Sequence, residues 1–231
     1  MFKILSKYGT NAKTVKSDKG GEYLTAILYM APADLVEGIN VCPMAIMAGC
    51  RHGCLNTAGR GVFDNVQNAR IRKTVLYRDN RKLFMEYLRE DLRKHEKLCT
   101  KKGIIPVVRP NGTSDIDYRK LAEEFPNIQF YDYTKVYNRV SKTLPKNYHL
   151  TISYSEANED YAQNAVKFAN KYGANLAVVF RNKELPETFL GRKVINGDKD
   201  DLRFLDPKNV IVGLYAKGKA RKDISGFVIN N

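Results

Sequence analysis

From residue 104 onward, short apolar runs alternate with stretches of helical spacing, and this alternation limits the fold more than any other feature. Residues 104–109, 128–131, 148–154, 176–180 and 210–214 read as buried strands. Between them, residues 118–125, 136–144 and 160–172 read as helices. Strands separated by helices imply βαβ crossovers and therefore a mainly parallel sheet. An earlier apolar run at 22–30, bounded by Gly20-Gly21 and Pro32, adds one more strand. The expected fold class is α/β: a sheet of about six strands with crossover helices. Six strands suit an open or incomplete TIM-barrel-like form better than a closed ring of eight repeats.

The rest of the chain fits around that frame as one domain over 1–231. Residues 1–20 are polar and read as an extended arm, and 31–64 as a long irregular loop holding three cysteines. A loop of that length with little structure of its own points to function. Residues 65–98 read as two helices broken near Asp79-Asn80, with Asp79 as N-cap of the second. Phe84, Leu88 and Leu92 recur at i+4 spacing and mark its core-facing stripe. Residues 181–208 read as an irregular insert in which Asn196-Gly197 signals a hairpin. That turn accounts for Asp198, Asp200 and Asp201 without a divalent metal.

No apolar window approaches the ~20 residues that span a bilayer, and no signal-peptide core follows the charged N-terminus. A soluble cytoplasmic protein without a membrane partner is expected, with its four cysteines reduced. The net charge of +14 favours polyanionic partners, nucleic acid among them. The basic residues are densest from Arg70 to Lys102, where helix-spaced Glu and Asp offer them partners.

In parallel α/β folds chemistry collects at the carboxyl ends of the strands. The residues expected there are the cysteine loop, then Asn111, Gly112, Thr113, Ser114 and Asp115. Asp132 and Lys135 follow the third strand, Ser155 and Glu156 the fourth, and Lys217 the last. Each has a bland reading: Asp115 as a helix cap, Asp132 with Lys135 as an ion pair, Glu156 as the start of a helix, Lys217 in a solvated basic turn. Cys42-x7-Cys50-x3-Cys54 gathers three thiols within thirteen residues. Thiolates are soft ligands for iron–sulfur clusters and zinc, and buried thiols can also be simple small hydrophobes. Structural zinc takes four closed ligands, and His52 lies too tightly between Cys50 and Cys54 to serve easily as the fourth. A [4Fe–4S] cluster held by three cysteines keeps one iron open for a small ligand or substrate. Cys99, at a helix end, reads as a core thiol.

The order strand, three-cysteine loop, helix, then a strand ending in a Gly-containing polar turn resembles the start of a radical S-adenosylmethionine domain. The family spacing is usually Cys-x3-Cys-x2-Cys, where this chain has x7 and x3. The family turn usually carries a glutamate, where this chain has Asn111 to Asp115. The resemblance implies a cluster on Cys42, Cys50 and Cys54, with S-adenosylmethionine held by Asn111, Thr113, Ser114 and Asp115. It also implies a pocket lined by Asp132, Lys135, Ser155, Glu156 and Lys217. The strings CPMAIMAGCRHGCLNTAGRG, RPNGTSDIDY, FYDYTK, NYHLTISYSEAN and DLRFLDP further resemble a bacteriophage family, gene product eighty-eight. That likeness implies a phage protein acting in a bacterial cytoplasm and no particular activity.

Overall fold

The computed structural model describes residues 2–6, 8–9 and 11–231. In chain order the regular elements begin with α1 (Ala12–Asp18), β1 (Tyr23–Ile27), α2 (Asp64–Asp79), α3 (Arg81–Lys102) and β2 (Ile105–Arg109). They continue with α4 (Arg119–Glu124), β3 (Gln129–Thr134), β4 (Tyr148–Ser153), α5 (Glu159–Tyr172) and β5 (Leu176–Phe180). The last are β6 (Thr188–Phe189), β7 (Arg192–Asn196), β8 (Ile211–Tyr215) and β9 (Val228–Ile229). The strands form one sheet in the order β1-β2-β3-β4-β5-β8-β7-β6, with β9 added to β5. Every pairing is parallel except the β6–β7 hairpin.

The strand order follows the chain from β1 to β5, so each crossover steps in one direction and the sheet grows from one edge. The sheet is open, with β1 at one edge and the β6–β7 hairpin at the other; of the open or incomplete TIM-barrel-like forms expected from sequence, an open sheet is what forms. One face carries the main core. Ala26, Val108, Phe130, Leu150, Ile152 and Val178 pack there with Phe84, Leu88 and Leu92 of α3 and Tyr161, Ala165 and Ala169 of α5. The alternate strand residues Val107 and Tyr131 face the other way and are covered by Leu202 and Phe204. The expected i+4 stripe of α3 is therefore the packed stripe, with all three side chains fully buried.

Several boundaries move for identifiable reasons. The cap of α3 is Asn80 rather than Asp79, since Asn80 Oδ1 accepts from Leu83 N at 3.0 Å. The helix expected at 136–144 shrinks to a 3-10 turn, Tyr137–Arg139. Val136, Asn138, Val140 and Ser141 are weak helix formers, and Arg139 is drawn to Asp115. The 181–208 insert is partly regular. Its hairpin turns at Leu190-Gly191, both at positive φ, and not at Asn196-Gly197. Val194 and Ile195 instead run beside β8, and Gly197 is needed for space, because a Cβ there would collide with Val212. The arm expected over 1–20 falls partly outside the described residues. Within them, residues 12–18 form α1, and Asp18 accepts from Thr25 N and Thr25 Oγ1 on β1.

Candidate metal and ligand site at the carboxyl edge of the sheet

The carboxyl ends of β1 to β5 and β8 share one edge, because these strands pair in parallel. β4 pairs with β5 at Ile152–Leu176 and Ser153–Ala177. Further along, β9 takes the vacated side of β5, with Val228 opposite Val179 and Ile229 opposite Phe180. This wedge brings segment 218–227 against the cysteine loop. Ser155 Oγ donates to Ala48 O at 2.8 Å, and Ser225 Oγ donates to Gly49 O at 3.1 Å. Gly49 sits at φ 62, and a Cβ there would lie 2.6 Å from the Ala157 Cβ and the Ser225 Oγ. The loop end of β4 and the C-terminal segment thus clamp the middle of the cysteine loop.

All four cysteines are free thiols. Cys50 is buried, while Cys42 and Cys54 are partly buried. Cys42 Sγ lies 3.7 Å from Thr113 O. Burial pushes the Cys42 thiol up to about 12, against the pull of Lys135. Burial likewise raises Cys54, which feels Cys50, Lys135 and Arg70. Thiols raised in this way are poor nucleophiles unless a cation or metal favours the thiolate. Lys135 is the cation common to the set. Burial works against its charge, but the negative charge that Cys50, Asp115, Cys42 and Cys54 can carry outweighs burial and holds the ammonium above the ordinary lysine value. Among the described residues the Lys135 ammonium has no hydrogen-bond or ion-pair partner, and it lies 5.8 Å from the centre of the Phe227 ring.

The side chains of the β2 and β3 ends are held by one another. Asn111 Oδ1 accepts from Ser114 Oγ and Ile116 N, both at 2.8 Å. Asn111 Nδ2 donates to Ile116 O and to Asp132 Oδ2. Thr113 Oγ1 donates to Met30 O at 2.6 Å. Asp115 accepts from Thr134 Oγ1, Lys135 N and Arg139 Nη1, at 2.7 to 2.9 Å. Its carboxylate therefore clamps the segment after β3 and is not the cap of α4. Asp132 accepts from Asn111 N, Asn111 Nδ2 and Tyr148 Oη. Burial nevertheless raises its carboxyl to about 7. Gly112 lies so close to Tyr29 that a Cβ would be 2.6 Å from the ring. These residues form a tightly bonded floor beneath the cysteine loop. Glu156, exposed, accepts from Tyr154 Oη at 3.3 Å, and Lys217 pairs with Asp198 over the Tyr215 ring.

Among the described residues, no group of three or more His, Cys, Asp and Glu side chains is arranged to hold a metal ion. His52 points to solvent and adds no fourth ligand. Sequence reasoning also missed residues that the fold brings in. Arg139 and Phe227 are distant in sequence and reach the edge through Asp115 and the β9 wedge. Asp201, read as part of a turn, accepts from Arg109 Nη1 at 3.1 Å and Tyr131 Oη at 2.7 Å on the far face. No local pattern signals a pair 92 residues apart.

The molecule is thus an open, mostly parallel α/β protein with three thiols and a lysine gathered at the carboxyl edge. The chain belongs to the Gene product 88 family, whose model matches residues 3–231, as the phage-family likeness in its sequence anticipates. No curated protein and no solved structure matches it. No helix among the described residues is long and apolar enough to cross a membrane.

Proposed function

We propose that Cys42, Cys50 and Cys54 hold a [4Fe–4S] cluster with one open iron, and that Lys135 binds the negative charge of that centre and of a small anionic ligand beside it. The observation that carries this reading is the Lys135 ammonium, set among three free thiols and lacking an ion-pair partner among the described residues. A desolvated cation of this kind calls for a counter-charge, and three metal-bound thiolates supply one. The donor set suits a cluster better than zinc. A zinc ion draws all its ligands to one point at about 2.0–2.3 Å and takes four of them in structural sites. His52, which lies between Cys50 and Cys54 in sequence, is exposed. A four-iron cluster spreads its ligands more widely and works with three. Such a cluster supplies an electron-transfer centre and an open Lewis-acid iron.

The residues of the chain then have distinct tasks. Asn111, Ser114 and Asp132 brace the turn after β2. Asp115 and Arg139 fix the segment that aims Lys135. Ser155 and Ser225 hold the loop carbonyls of Ala48 and Gly49 in place.

Anaerobic purification with absorption spectroscopy and iron, sulfide and zinc analysis tests the reading. A brown protein with about four irons and four sulfides per chain, lost in Cys50→Ala, is expected. A colourless protein with stoichiometric zinc refutes it. Adding S-adenosylmethionine to the reduced protein then separates a radical reaction, which cleaves it, from binding of another small anion. The second reading is a nucleic-acid-binding phage protein with a structural metal, favoured by the +14 charge. It is marked by salt-dependent binding without turnover.

A further inference from the structure

We propose that the face around the cysteine loop docks onto an anionic lipid surface, with Ile224, Ile46, Met47 and Leu55 entering the headgroup layer and the neighbouring cations meeting the lipid charge. Ile224 is 99% exposed and Ile46 72% exposed, and Met47 and Leu55 are also exposed. They project from separate turns that the structure joins into one surface. Ser225 Oγ donates to Gly49 O, and Gly49 N donates to Ile46 O. Lys219 N donates to Thr57 Oγ1, two residues from Leu55.

The exposure of Ile224 is built rather than incidental. Asp223 on one side is buried, accepting from Val228 N at 3.1 Å and Ser225 Oγ at 2.8 Å. Arg181 Nη2 donates to the Asp223 carbonyl at 2.5 Å, and Arg181 Nη1 donates to the Arg221 carbonyl at 2.9 Å. A large aliphatic side chain is thus held outward by a turn anchored on both sides. Leaving it in water forgoes its burial, which makes sense where another apolar phase receives it.

Charge selects the occupant. The segments 46–63 and 217–225 contain Arg51, Arg60, Lys217, Lys219, Arg221 and Lys222, and their one acid, Asp223, is buried. Arg51 pairs with Asp34 and Lys217 with Asp198, so the exposed Lys219, Arg221 and Lys222 are the cations that meet the lipid charge. Aliphatic tips flanked by Lys and Arg, with no exposed carboxylate in the same segments, match an anionic bilayer interface. A nucleic-acid face would instead present several aromatic rings for stacking, whereas of the exposed apolar side chains in these segments (Ile46, Met47, Leu55, Val62, Phe63 and Ile224) one is aromatic. Docking at a bilayer surface needs no membrane-spanning helix.

The test is co-sedimentation of the full chain, purified anaerobically, with phosphatidylcholine vesicles with and without phosphatidylglycerol. Binding to the mixed vesicles is expected, weakening as salt rises, with little binding to pure phosphatidylcholine. Ile224→Asp should lower the affinity about tenfold or more, and Lys219→Glu with Arg221→Glu and Lys222→Glu should abolish it. Leu205→Asp, an exposed position outside both segments, should leave binding unchanged. Circular dichroism of each variant confirms its fold. Absence of binding to mixed vesicles overturns the proposal, as does binding that ignores both the Ile224 and the charge changes. Binding of a single-stranded oligonucleotide that is lost in the same variants, with no vesicle binding, reassigns the face to nucleic acid.

Discussion

Asp132 offers a quantitative test of the floor beneath the cysteine loop. Its carboxyl group is buried, and two opposed effects act on it. Desolvation favours the neutral acid, while hydrogen bonds from Tyr148 and Asn111 favour the ion. Desolvation wins, and the folded-state value rises from 3.8 to about 7. The folded protein then binds more protons than the unfolded chain between those values. Its stability from this group is present in full below about pH 3.8, is lost progressively as pH rises, and is gone above about pH 7. At ~1.36 kcal/mol per unit, the span corresponds to about 4 kcal/mol. Asp132→Asn removes the titration while keeping nearly the same shape. In urea titrations from about pH 4 to pH 8, the wild type should therefore lose up to about 4 kcal/mol relative to the variant. Comparing the two proteins cancels the other ionisable groups. A difference that stays flat refutes the argument. A wild type that gains on the variant as pH rises would show that the three hydrogen bonds outweigh burial.

Three further outcomes follow from packing and charge. Phe84→Ala removes a fully buried ring set edge-on to Tyr77, with centroids 5.1 Å apart, and should cost about 3–5 kcal/mol in chemical denaturation. Arg109→Leu and Asp201→Leu should each cost about 3–5 kcal/mol, because each strands a buried partner. The double variant should cost clearly less than the two together, and additive losses would dismiss the pair as a coupled unit. Gly49→Ala places a Cβ against Ala157 and Ser225 at a positive φ and should free the cysteine loop. Limited proteolysis should then cut within 31–64 while far-UV circular dichroism stays as in the wild type, and an uncut loop would count against the clamp.

The parts of this fold that were legible in the sequence are those in which a local pattern meets a single kind of environment. Residues 104–109 and 176–180 are near-continuous apolar runs and 148–154 alternate apolar with polar residues, and these strands are largely buried. The Phe84, Leu88 and Leu92 stripe was readable because its i+4 spacing outlasts any error in the helix ends. The full strand number was not readable, since it depends on what the last strands pair with. A run such as Val194–Ile195 looks like loop until β8 lies beside it. The candidate site divides in the same way. The three cysteines and Lys135 stand out by residue type and by position after a strand. Arg139 and Phe227 do not, because nothing near them in sequence marks the carboxylate or the β4–β5 divergence that recruits them.

The same reasoning separates bracing from binding among the strand-end residues. Position after a parallel strand marks all of them equally, so sequence alone cannot rank Asn111, Thr113, Ser114, Asp115 and Asp132 against Lys135. Hydrogen-bond capacity can. The carboxylate and amide groups of the first set meet donors and acceptors from within the protein. A ligand would have to break those bonds, each worth more than an exposed one because its partner is left buried. Lys135 has three donors and, among the described residues, no acceptor. An incoming anion or a thiolate-bound centre gains its charge without displacing a partner. In the proposed function the ligand-binding role therefore falls to the lysine, and the polar turn after β2 braces the segment that carries it.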